Sequence, residues 1–408
     1  MISEPQTSYK SITSSPLAND DDDDLPPKSN AEKPLQPEFV VYRRRWYMLF
    51  VVAGISGIQG GYWANFGPIA QSVKPLFGWD NGTIALLNNW GPICYLLAVY
   101  PYAWLMDVKG LRAAVVSAWL LVFIGSLARS ITADDDFGAA LMHLGQILNA
   151  IAGPVAMSAA TVLSSKWFPP DQRTTATSLI SVCNYGGVAG IFVLGPKYVP
   201  ALGTASGDDD DGPDILTDSE RAQTADNLLS FMRWQSAIAG VFTMCCIVYF
   251  PEDPPKPPSY TSTVDRIDFR AGMQQLWPNK DFWWVSMSYG VVTGFYGGWG
   301  SMLGPNMEAV LPRNQAQVEA GWLGFWGAIA GMVGGVLFGI WADYFHGHMK
   351  EMVLVFCGMG SLAFVTFAMT CDSILVEQSK ALLYAITILC GFVVNGLVST
   401  NGNNSKHR

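Results

Sequence analysis

The chain is short of charge. Of its 408 residues only 14% are Asp, Glu, Lys or Arg, against about a quarter in an ordinary soluble domain. What charge exists collects in the N-terminal tail and in stretches between apolar runs. That leaves windows of about 20 residues nearly free of it, the length a helix needs to span hydrocarbon. Histidine is scarce too. There are four, and His346, His348 and His407 stand in loops or at the chain end. HExxH zinc sites and Ser–His or Cys–His dyads therefore have little to draw on. The seven cysteines lie in or at the edges of apolar runs with no CxxC spacing, where they behave as small hydrophobes. No GxSxG elbow, P-loop or dinucleotide glycine fingerprint occurs. These absences argue against an enzyme and imply no cofactor and no metal. The net charge of −9 comes largely from clusters at Asp20–Asp24, Asp134–Asp136 and Asp208–Asp211. Without a basic stripe, a nucleic-acid partner is not expected.

Half of the residues are hydrophobic, and they fall into ten runs. Residues 1–40 are rich in Ser, Pro, Asp and Lys and read as a disordered tail. Within it, Tyr9-Lys10-Ser11-Ile12 fits a tyrosine-based signal for sorting adaptors, a pattern that also arises by chance. No signal peptide is read at the start, so the first span is expected to act as its own anchor. Arg43, Arg44 and Arg45 precede Trp46, the order of basic anchor, interfacial aromatic and span. Spans are expected at 46–69, 82–106, 111–132, 139–165, 173–199, 230–250, 282–306, 318–342, 350–371 and 381–400. These divide into a six-helix bundle (41–250), a Pro-rich linker (251–280) and a four-helix set (281–400), followed by a polar end (401–408). Six and four is an incomplete duplication, which leaves a shortened, non-transporting isoform as a rival reading.

Lys and Arg set the orientation. From Val41 onward, fourteen fall on the side of the tail and linker and seven on the opposite side. The positive-inside rule then puts both termini in the cytosol. Asn81-Gly82-Thr83 is a glycosylation sequon on the far side, pressed against a span and poorly placed for use.

Between the second and third spans lies a short charged hinge, Trp104-Leu-Met-Asp-Val-Lys-Gly-Leu-Arg112. A related one, Gly339-Ile-Trp-Ala-Asp343, lies between the eighth and ninth. Two hinges in corresponding places suggest a duplicated bundle. Asp107, Lys109, Gly110, Arg112 and Asp343 are the gate or hinge candidates; the alternative is that they are solvated loop charges. The first hinge resembles the G-x-x-x-D-R-x-G-R-R loop of the major facilitator superfamily, with Ala103 and Val108 departing from it. Together with Arg44-Arg45-Trp46, Gly145-Gln-Ile-Leu-Asn149, Asn65-Phe-Gly-Pro68, Trp90-Gly-Pro92 and Ala320-Gly-Trp-Leu-Gly-Phe-Trp326, it resembles solute carrier family 49. The resemblance implies an all-α major facilitator fold and a lysosomal carrier, with proton-coupled export of pyridoxine. It also allows a choline, ethanolamine or haem-related carrier, or a receptor-like protein at the plasma membrane. The partners expected are a small-molecule substrate and the lipid bilayer.

Cargo in such a carrier sits near the midplane between the halves. The polar and aromatic residues inside spans are the binding candidates: Gln59, Trp63 and Asn65; Asn88, Asn89 and Trp90; Gln146 and Asn149; Asn184 and Tyr185; Tyr289, Tyr296 and Trp299; Asn395. The alternative is that the rings pack or face lipid and the amides staple helices together. His143 is the one intramembrane histidine and the proton-coupling candidate; a structural role is the alternative. No charged residue sits mid-span, with Arg129 and Glu308 at span ends. That favours a neutral or cationic solute held by rings and amides. Gly327, Gly331, Gly335 and Gly339 repeat every fourth residue along the eighth span, giving a smooth face for close helix contact or for sliding.

Overall fold

The structure is a computed structural model that describes residues 39–202, 216–262, 269–308, 310–311, 313–344, 349–371 and 379–400. The sorting pattern in the tail and most of the acidic loop after the fifth span lie outside them. The helices are α1 (Arg45–Trp63), α2 (Ala70–Phe77), α3 (Asn81–Trp104), α4 (Leu111–Arg129), α5 (Asp135–Ile151), α6 (Gly153–Trp167), α7 (Arg173–Tyr198) and α8 (Asp218–Val248). They continue with α9 (Phe269–Leu276), α10 (Lys280–Ser301), α11 (Leu303–Glu308), α12 (Arg313–Tyr344), α13 (Met349–Cys371) and α14 (Lys380–Thr400). A π-helical turn, Leu105–Lys109, ends α3.

Three expected spans contain a helix break. The first was read as continuous over 46–69, but α1 stops at Trp63 and the chain bends before resuming as α2. Pro68 explains this: it has no N–H to give to the carbonyl of Ala64, and it disfavours helix in the residue before it. Gly153-Pro154 opens α6 one residue after α5 ends, and Gly304-Pro305 lies at the start of α11, past the step from α10. Such breaks survive within a membrane where neighbouring helices satisfy the freed backbone groups.

Among the described residues, seven helical stretches are long and apolar enough to cross a membrane, beginning at Asn81, Leu111, Asp136, Pro170, Asp218, Gln315 and Leu354. With α1, α10 and the shorter apolar stretch of α14 they occupy the ten expected positions. Before the linker, α3 packs on α5 and α6, α4 on α5 and α8, and α1 on α6 and α7. After it, α12 packs on α14, α13 on α14 and α10 on α14. The second, third and first spans of each set thus all lean on the fourth, the signature of a duplicated arrangement. The long α7–α12 contact joins the halves.

Glycine sets how closely these helices approach. A Cβ on Gly187 of α7 would run into the Gly57 carbonyl of α1, and one on Gly61 would lie 2.9 Å from the Gly187 carbonyl. In the second set, a Cβ on Gly391 would strike the Gly327 carbonyl, and one on Gly334 the Phe392 carbonyl. Gly327 and Gly334, two turns apart on α12, therefore both face α14. Two turns of α-helix return a side chain to nearly the same face.

Candidate functional site

Polar contacts converge where α1 breaks. Pro92 sits inside α3, so the Asn88 carbonyl four residues earlier has no helical donor. The Trp63 indole supplies it, Nε1 donating to Asn88 O at 2.8 Å. The ring is accommodated because Gly91 has no side chain: a Cβ there would collide with the indole. Its far edge reaches α10, 3.6 Å from where a Cβ on Gly297 would stand. Trp63 therefore touches both halves, which puts the Gly91-Pro92 pair and the indole in one local design.

The Trp63 carbonyl, at the end of α1, accepts from Gln146 Nε2 at 2.8 Å. Gln146 Oε1 in turn accepts from Arg129 Nη1 at 2.8 Å. Arg129 ends α4, but it does not reach toward water: the residue is 0% exposed. Its guanidinium lies 5.5 Å from the centre of the Tyr62 ring, a cation–π contact. Its Nε and Nη2 have no hydrogen-bond partner. Position in the sequence suggested an interfacial cation, and the structure buries it instead.

The amides named from sequence are largely engaged. Gln59 and Asn149 exchange bonds, Gln59 Nε2 donating to Asn149 O at 3.2 Å and Asn149 Nδ2 to Gln59 O at 3.1 Å. Asn65 and Gln235 of α8 form a reciprocal pair, both bonds 2.9 Å. Asn184 Nδ2 donates to Ser56 O at 2.8 Å. These bonds staple α1 to α5, α8 and α7. Asn149 keeps one unused acceptor, its buried Oδ1. Asn89 is exposed, and Tyr185 is half-buried.

Across the site, the Tyr296 hydroxyl lies 3.6 Å from the Cβ position of Gly327. Trp299 stacks edge-on against Phe364 and Phe367 of α13, with its Nε1 buried and unpartnered. Thr387 of α14 likewise buries an unpartnered hydroxyl. Nothing in the sequence singled out Thr387, a threonine in an apolar run. The side chains of Tyr289, Asp343 and Asn395 lie outside the described residues.

His143 accepts a bond from Trp90 Nε1 at its Nδ1, 3.1 Å away, and meets the Trp79 ring edge-on at 5.8 Å. An indole can only donate, so the neutral imidazole carries its proton on Nε2. A second proton on Nδ1 would break the Trp90 bond.

At the tail-side hinge, Asp107 is exposed and makes no ion pair among the described residues. The fastening comes from Glu252, at the start of the segment that sequence marks only as a Pro-rich linker. Its carboxylate accepts from Leu111 N at 2.8 Å, Arg112 N at 2.6 Å and Lys166 Nζ at 2.6 Å. Gly110 allows this in two ways. Its φ of +93° suits glycine, and a Cβ there would sit on the Glu252 carboxylate. Burial pushes the Glu252 carboxyl up, but the Lys166 ammonium and the two backbone N–H groups outweigh it. They hold the group below the ordinary glutamate range.

On the opposite face the halves are latched. Lys74 of α2 pairs with Glu308 of α11 at 3.8 Å. Val199 O, just past α7, accepts from Gln317 Nε2 of α12 at 2.8 Å. The Ser72 hydroxyl lies 3.0 Å from both Val199 O and Gln317 Oε1. A Cβ on Gly67 would stand 3.5 Å from Ser301 Cα.

Two helical sets joined across a polar seam, with a latch at one face and a charged hinge at the other, define a membrane transporter. A model of the major facilitator superfamily matches residues 40–405. Solute carrier family 49 member 4 homologs from Xenopus laevis and Xenopus tropicalis are 35% and 34% identical over 362 residues, covering 88% of this chain and 77% of theirs. The chain belongs to the major facilitator superfamily and, within it, to solute carrier family 49. The choline/ethanolamine transporter FLVCR1 of Felis catus is 24% identical over 342 residues, 82% of this chain and 58% of that protein. Among solved structures, a bacterial homolog to the human lysosomal transporter Spinster, in an inward-facing and unoccupied conformation, superposes with a TM-score of 0.61 at 15% identity. It covers 88% of this chain and 75% of that one. A D-xylose–proton symporter gives a TM-score of 0.53 at 14% identity, over 87% and 81%. At these identities the likeness is one of fold.

Proposed function

We propose that this transporter carries a small neutral or cationic aromatic solute, pyridoxine in particular, out of lysosomes in company with a proton. The observation behind this is the seam itself. The Trp63 indole reaches from one half to the other, and buried polar atoms without a hydrogen-bond partner remain at Asn149, Thr387 and Trp299, with no carboxylate at the seam among the described residues. A pyridine ring bearing hydroxyls matches stacking and hydrogen bonding together. His143 is the residue proposed to take the proton, because a proton on Nδ1 releases Trp90 and so couples charge to the second span. The basic excess on the tail and linker side supports a cytosolic placement of both termini, which makes the latched face lumenal.

Labelled pyridoxine uptake at pH 5, by cells expressing a form routed to the plasma membrane, tests this. Uptake above mock cells that falls at neutral pH is expected, with His143→Gln flattening the pH dependence. Equal uptake in expressing and mock cells would remove the substrate. A second reading, choline or ethanolamine, is favoured by the FLVCR1 likeness and by the same Trp63 face, which suits a quaternary ammonium. Competition by choline, with no uptake of pyridoxine, would select it.

A further inference from the structure

A groove of about 480 Å³ opens between the start of α4 and the end of α8, away from the seam. Lys109 and Arg112 form its rim, Glu252 its corner, and Val116, Leu120 and Ile247 its wall. The two cations lie three residues apart, are exposed, and have no carboxylate partner among the described residues. Glu252 forms no ion pair with either side chain. Its oxygens are taken by Lys166 and by the Leu111 and Arg112 N–H groups. Arg112, Val116 and Leu120 follow at four-residue steps, so charge at the rim passes into apolar wall along one helix face. That wall opens outward: Leu120 is 37% exposed, Ile247 43% and Val248 75%, side chains that meet hydrocarbon in a membrane.

We propose that this groove binds an anionic phospholipid. Its phosphate would sit against Lys109 and Arg112, and one acyl chain would lie along Val116, Leu120 and Ile247. A rim of two unpaired cations prefers a headgroup with net negative charge, because a choline headgroup would bring a third cation to the same corner. The leaflet is cytosolic if the orientation above holds; the binding itself does not depend on it or on the cargo.

The test is thermal unfolding of the full chain in neutral detergent with added phosphatidylserine, phosphatidylcholine or soluble glycerophosphoserine. Phosphatidylserine should raise Tm by several degrees at concentrations where the other two raise it little. Lys109→Gln with Arg112→Gln should remove the shift, Lys109→Arg with Arg112→Lys should keep it, and Leu120→Trp should reduce it by filling the wall. No shift with phosphatidylserine would overturn the proposal. So would an equal shift with phosphatidylcholine or with the soluble headgroup, or a shift that survives loss of both cations.

Discussion

Trp63 and Pro92 act as a pair, and the consequence is measurable. Trp63→Phe removes the indole donor to a carbonyl that Pro92 has freed, leaving that acceptor unsatisfied at a cost of about 1–3 kcal/mol. Adding Pro92→Ala restores a helical N–H to Asn88 O. The double variant should therefore melt above Trp63→Phe alone; melting at or below it would deny the pairing. The Asn65–Gln235 pair behaves similarly. Asn65→Ala strands the Gln235 amide in the interior, whereas Asn65→Leu with Gln235→Leu removes both partners and should lower Tm by less than the single effects combined. Gln146 and Asn149 are legible as interior residues from sequence, because an unpaired amide in an apolar run is costly, whereas the sequence leaves open whether Trp63 packs or faces lipid. It did not reveal Gln235, which lies within the expected sixth span but is not among the polar residues singled out there. Nor did it reveal the burial of Arg129, since an arginine closing an apolar run usually extends to water.

Helix approach is decided by single glycines. Gly186 and Gly187 are neighbours on α7, yet a Cβ at Gly186 meets nothing within 4 Å while one at Gly187 meets the Gly57 carbonyl. Gly186→Ala should be neutral or stabilising, since alanine favours helix by about 1 kcal/mol over glycine. Gly187→Ala should force α1 and α7 apart and lower Tm by several degrees in detergent. Equal melting of the two would mean the crossing is looser than described. At the hinge, Glu252 titrates below its ordinary value of about 4.3, so its contribution to stability is complete above that pH. It is lost as pH falls through the lower folded value. Tm of the wild-type chain should drop on acidification below about pH 4.3, and Glu252→Gln should flatten that drop. The ten span positions were legible from hydropathy. The breaks were not, because Pro68, Pro154 and Pro305 read as tolerable kinks until packing shows where helices stop. Glu252 was hidden for another reason: its partners are backbone N–H groups and Lys166, 86 residues away.

For the whole molecule, the described contacts between halves gather toward one face. Lys74–Glu308, Ser72–Gln317, Gly67–Ser301 and Trp63–Gly297 all belong to the ends of spans opposite the hinge. A carrier must open that latch to admit cargo and close it to pass cargo on. The duplicated pairing of spans supplies two bodies that can rock about the seam. The paired hinges made this duplication visible in the sequence, but the latch was not. Its members are a serine, a glutamine and small residues whose meeting depends on how two distant segments dock. Glu308 reads from sequence only as a charge at a span end.

Locking the latch tests the account most directly. Gly67→Cys with Ser301→Cys, in a chain whose seven native cysteines are replaced, can be oxidised to a disulfide and then reduced. The cargo is whichever of labelled pyridoxine or choline the unlocked chain carries. Transport should stop on oxidation and return on reduction. Transport at an undiminished rate with the crosslink formed would contradict a mechanism in which the halves part at that face.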